Sequence, residues 1–161
     1  MDSSDSIEKY QQEWKRFEES FNIAFDDKRH LISALDHTVG NSEKKKQYAL
    51  AGDALLDFLL YEYLIVKGGY TKGKMDCIRQ ELNTDQNLAR IGRKLGLSEC
   101  IIFPDSATDE EKIDGDAYYN DTVEALVYMI QRDQDINTAF AFVRKYIFSE
   151  IPIDEYECKN I

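Results

Sequence analysis

Hydrophobic and polar positions along this chain recur with a helical period rather than a strand period. Ile7, Tyr10, Trp14, Phe17 and Phe21 fall on one side of residues 6–21 and predict an amphipathic helix. Leu31, Ile32 and Leu35 predict a second helix over residues 27–38, after which Gly40-Asn41-Ser42 reads as a turn. Residues 48–66 form the longest apolar run and predict a long helix stopped near Gly68-Gly69. Further helices are predicted over 73–82, over 84–95 with Asn83-Thr84 as the cap and Gly96 as the stop, over 119–132 and over 135–149. Residues 104–117 are polar and acidic and read as a loop. No stretch alternates as a strand, so the expected fold class is all-α.

Composition narrows the class. A chain of 161 residues, 43% of them hydrophobic, is one globular domain with a substantial core. The first twenty residues are polar and charged, unlike a secretory signal. The long apolar run carries Asp53, Asp57 and Glu62, too many acids for a membrane span. Cys77, Cys100 and Cys158 are odd in number and widely spaced, which suggests a reducing compartment and no zinc site. The expected location is the cytoplasm, away from membranes.

The net charge of −11 argues against nucleic acid as a partner until its distribution is considered. Residues 44–94 carry 10 basic and 6 acidic side chains, whereas 1–43 and 95–161 are strongly acidic. The basic middle is either a binding face or ordinary solvated helix surface. Lys44-Lys45-Lys46, Lys72 and Lys74 are the candidate phosphate contacts within it.

Candidate chemistry centres on Gly52-Asp53, which interrupts the long apolar helix. Glycine and aspartate both weaken a helix interior, and an unpaired buried carboxylate is costly. Asp121 and Glu124 are three apart and share a face where another apolar helix begins. If the two helices cross there, three carboxylates converge and repel unless protonated or bridged by a cation. Hard oxygen donors favour Mg²⁺ or Mn²⁺, which typically serve phosphoryl chemistry. On spacing alone a second reading stays open. Asp53 would be a hydrogen-bonded core acid, and Asp121 and Glu124 would simply favour a helix N-terminus. Asp57, one turn and about 6 Å beyond Asp53, fits a supporting role better than that of a replacement ligand. His37 reads as a structural group at a helix end.

Four stretches resemble the ribonuclease III family. "YALAGDALLDFLL" (48–60) is similar to the family's signature helix, and "NDTVEALVYMI" (120–130) to its second acidic motif, Asp-x-x-Glu-Ala. "IRQELNTDQNLARIGRKLGL" (78–97) resembles its middle helices, and "FNIAFDDKRHLISALDHTVG" (21–40) its entry segment. The resemblance covers roughly residues 15–148, leaving 1–14 as an N-terminal helical extension and 149–161 as a tail. It implies an all-helical, homodimeric endonuclease domain that cuts double-stranded RNA with Mg²⁺ through a metal-activated water. Asp53, Asp121 and Glu124 match the family's metal-binding catalytic acids. The position of a fourth acid holds Ala49, as in mini-ribonuclease III, and Lys72-Gly73 stands where another acid is usual. Leu50 replaces the aromatic that usually helps form the dimer seam, and Leu56 is expected near the same seam. No double-stranded-RNA-binding domain follows within this sequence. The alternative that Ala49 and the acidic surface keep open is a non-catalytic RNA-binding or assembly scaffold with the same fold.

Overall fold

The computed structural model describes residues 3–156; Cys158 and the outermost residues of the predicted extension and tail lie outside the described residues. Among these there are nine α-helices and no strand. They are α1 (Ser3–Lys9), α2 (Gln11–Phe21), α3 (Lys28–Leu35), α4 (Ser42–Lys67), α5 (Lys72–Leu82), α6 (Asp85–Lys94), α7 (Asp109–Asp114), α8 (Asp116–Asp133) and α9 (Ile136–Tyr146). A single parallel bridge pairs Asp36 with Ile102. It ties the end of α3 to the segment after α6 through His37 N–H to the Ile102 carbonyl and Ile102 N–H to the Leu35 carbonyl, both 2.9 Å.

The all-α expectation holds, with two local departures. The helix predicted over 6–21 breaks at Tyr10, and the Trp14 indole donates across the bend to the Ile7 carbonyl at 2.9 Å. The acidic loop contains α7, started by a capping box in which Thr108 and Glu111 satisfy each other's backbone N–H groups. That signal was present in the sequence, but no apolar periodicity accompanied it. Elsewhere the caps follow the side chains: Asp27, Thr71, Thr84 and Asp135 each accept an N–H from the first turn of the helix they precede.

Helix α8 is the central element and packs against α4, α6, α3 and α9. It is buried almost all round, from Tyr119 to Ile130, with only Asp121 and Tyr128 partly open. The aromatic side of α2 closes one end of the core. Phe17 and Phe21 stack 4.6 Å apart and reach Phe142 of α9 at 6.4 and 5.8 Å. They are core residues.

Helix α4 has two apolar sides. Lys45, Ala49, Gly52 and Leu56 form the stripe turned inward, continued by Leu59, Leu60 and Leu64. Leu56 is therefore not a seam residue, contrary to expectation: it is fully buried in the core, because its register places it with Gly52 toward the interior. The outward side exposes Leu50 (72%), Phe58 (53%) and Ile65 (63%), an apolar strip that the described residues do not cover. No helix among the described residues is long and apolar enough to cross a membrane. Cys100 is free and buried.

Candidate active site

The site forms where α4 passes over α8, and Gly52 sets how close the two helices come. A Cβ at residue 52 would lie 1.8 Å from the Glu124 carbonyl oxygen and 2.4 Å from its carbon. Only glycine permits this backbone-on-backbone approach. Its position beside Asp53 thus has a packing reason, and it carries the signature helix onto the second acidic motif.

The three acids chosen from sequence meet electrostatically at this crossing. Glu124 is buried, and burial, then the Asp53 and Asp121 charges, push its carboxyl up to about 8; Asp85 and Asp57 add to the rise. Asp121 is half-buried and shifted upward by desolvation, an effect that Lys45 and Lys46 oppose. Asp53 is held from the side. The Asn83 amide donates at 2.6 Å to Asp53 Oδ1 and at 2.6 Å to Asp57 Oδ1, joining two successive turns of α4. Arg79 stands 3.6 Å from Asp57. Asp57 therefore belongs to the support of Asp53 through a shared donor.

Two amide oxygens on the flanks, Asn83 Oδ1 and Asn120 Oδ1, are buried without a hydrogen-bond partner. The carboxylates that raise Glu124 are hard oxygen donors short of positive charge, a kind of donor that suits Mg²⁺ or Mn²⁺. The donors suit such an ion, although among the described residues no three His, Cys, Asp or Glu side chains are already arranged around an ion position. Ala49, 4% exposed on the inward stripe one turn before Asp53, contributes no oxygen.

The predicted phosphate contacts divide. Lys44 and Lys46 are exposed, and so is Lys72, which pairs with Asp76 at 3.2 Å. Lys74 is half-buried, with its ammonium given to the Tyr156 carbonyl. Lys45 departs from expectation: it is only 2% exposed, and its ammonium donates to the Ala34 carbonyl at the end of α3. Burial lowers it to about 7, while Asp121 and Asp36 hold it up. Placement at the start of α4's inward stripe buries it, a distinction invisible in a run of three lysines. Lys45, Asn83 and Asp85 are the members of the site that sequence reasoning did not assign to it.

A cleft of about 440 Å³ opens beside the acids, and Lys45, Lys46, Asp121, His37 and Tyr118 are among its lining residues. His37 serves structure there. The Thr122 hydroxyl donates to the Tyr118 carbonyl at 2.6 Å, so His37 Nε2 donates to Thr122 Oγ1 at 2.7 Å. Burial, then Lys45, lowers the imidazole to about 2 and keeps it neutral.

Known proteins resemble this chain in sequence and in fold. A family model described as ribonuclease-III-like matches residues 27–151. Ribonuclease 3 from Bacillus cereus (strain AH820) and from Bacillus anthracis are each 25% identical to this chain over 154 residues, covering 89% of it. The chain spans 62% of the length of these curated relatives. A solved nuclease domain of ribonuclease III from Campylobacter jejuni, described for structural flexibility in a region involved in dimer formation, is 27% identical with a TM-score of 0.71. It covers 84% of this chain and 96% of its own. A second crystal structure of that nuclease domain gives 26% identity and a TM-score of 0.70, covering 86% of this chain and 95% of its own.

Proposed function

This chain belongs to the ribonuclease-III-like family, and on that premise we propose that it is a homodimeric endoribonuclease that cleaves double-stranded RNA with Mg²⁺ or Mn²⁺. The observation that carries the reading is the α4–α8 crossing, where Gly52 meets the Glu124 backbone and Asp53 and Asp121 raise the Glu124 carboxyl. Asp53, Asp121 and Glu124 would hold the cation. When bound, a divalent ion supplies Lewis acidity that activates water and stabilises the leaving oxygen of a phosphodiester.

The chain's own residues do the rest. Asn83 orients Asp53 by donating to it, which leaves its other carboxylate oxygen outside that bond. Glu124, buried and raised to about 8, would be able to hold a cation once it has lost its proton. Lys44, Lys46 and Lys72 are exposed and available to phosphates, while the wide minor groove of an A-form duplex would present 2′-hydroxyls. The uncovered strip of Leu50, Phe58 and Ile65 suits a two-fold seam, and a dimer would set two sites on one duplex.

Long duplex RNA incubated with the purified protein and Mg²⁺ or Mn²⁺ should be cut, and chelator, Asp53→Asn or Glu124→Gln should stop cutting. A non-catalytic RNA-binding or assembly scaffold is the second reading, favoured by Ala49 at an acidic position and by the net charge of −11. Duplex binding with no cleavage under either metal would establish it.

A further inference from the structure

The turn between α4 and α5 holds an anion that the chain itself supplies. Gly68 and Gly69 have φ of 77° and 86°, a backbone that glycine adopts readily. The Lys67 ammonium on one side of this turn donates to Asp154 Oδ1 at 3.1 Å and Oδ2 at 2.9 Å. The Tyr70 hydroxyl on the other side donates to Asp154 Oδ1 at 2.6 Å. Lys74, in the first turn of α5, donates to the Tyr156 carbonyl. Earlier in the tail, Glu150 pairs with Lys94 at the end of α6.

Apolar side chains set the course of this tail. Phe148, Ile151 and Ile153 are buried in the core, and the Phe148 and Tyr63 rings lie 5.2 Å apart. Pro152 and Asp154, alternating with the two isoleucines, are exposed. Exposed ion pairs contribute little to stability, so Asp154 is not what holds the tail down. Its effect is on charge. The basic segment 44–94 has 10 cations, and residues 150–156 engage Lys67, Lys74 and Lys94. An ammonium and a hydroxyl converging on two oxygens suit a phosphate as well as a carboxylate.

We propose that the α4–α5 turn is a phosphate-binding site for duplex RNA, occupied in the free protein by Asp154, so that the acidic tail restrains RNA binding. The inference rests on the reading of double-stranded RNA as the partner. A backbone phosphate must displace the Asp154 carboxylate to reach Lys67 and Tyr70, and the displaced acid stays nearby as a like charge.

The test is fluorescence anisotropy of a dye-labelled RNA duplex with the full chain, across a range of KCl concentrations, in chelator to prevent cutting. Asp154→Asn should bind about two- to fivefold more tightly than wild type, the range an exposed ion pair is worth. Its affinity should also fall more steeply with salt, by about one phosphate contact. Glu155→Gln makes the same change in net charge at the neighbouring exposed acid and should gain much less. Adding Lys67→Met to Asp154→Asn should abolish the gain. Equal gains from Asp154→Asn and Glu155→Gln would show an effect of overall charge and overturn the proposal. So would an Asp154→Asn variant, folded by circular dichroism, that binds no more tightly than wild type. If neither wild type nor Asp154→Asn binds the duplex, even with Mg²⁺, the double-stranded RNA reading itself is refuted, and the proposal with it.

Discussion

Gly52→Ala puts the helix crossing to a test in which two effects have opposite signs. In an exposed helix interior the change would stabilise by about 1 kcal/mol, because alanine is the better helix former. Here the new Cβ would sit 1.8 Å from the Glu124 carbonyl oxygen, against 3.4 Å for ordinary contact, so α4 must withdraw from α8 by about 1.6 Å. The obstacle is helix backbone, which cannot rotate away as a side chain could. Overpacking a core costs about 1–3 kcal/mol, and a backbone clash belongs at the upper end. The net expectation is a loss of about 2 kcal/mol, or about 4–8 °C in melting temperature for a domain of this size. Withdrawal also moves Asp53 away from Glu124, so Mn²⁺ affinity should fall with stability. Urea unfolding with a two-state fit, alongside Mn²⁺ titration, reads both. A variant as stable as wild type, or more stable, would show that the crossing is looser than described and that helix propensity decides the outcome.

The remaining predictions use the same site. The Glu124 carboxyl rises from 4.5 to about 8 in the folded state, so its contribution to stability is full below 4.5 and is lost as pH rises through about 8. Glu124→Gln should therefore gain stability relative to wild type between pH 5 and 8 in chelator, as urea midpoints would reveal; a constant difference across that window refutes the burial argument. Ala49→Glu adds a carboxylate on the buried stripe, so it should melt lower than wild type in chelator and recover with Mg²⁺. Equal melting temperatures in both conditions would remove position 49 from the ion's surroundings. Leu50→Asp places a charge on the exposed strip, which should shift sedimentation from dimer to monomer at micromolar concentration while leaving circular dichroism unchanged. A wild-type monomer would refute the seam assignment outright.

Periodicity specified the longer helices, because apolar residues at helical spacing have one way to be buried together. Asp53, Asp121 and Glu124 stand out as candidates for a related reason: acids within apolar helices are costly. The capping box at Thr108 was readable too, but a short polar helix without an apolar face resembles a loop. Other assignments needed the third dimension. Whether Leu50 or Leu56 faces outward depends on which side of α4 meets α8, and both sides are apolar, so the pattern could not choose. Lys44, Lys45 and Lys46 are chemically identical in sequence, and only the helix register sends the middle one inward to the Ala34 carbonyl. Asn83 is far from Asp53 and Asp57 along the chain and comes to bridge them only when α5 returns along α4. Local sequence thus determined what each helix is made of. Packing around α8 decided which charges share a low-dielectric space, because electrostatic coupling depends on distance and burial that no linear pattern encodes.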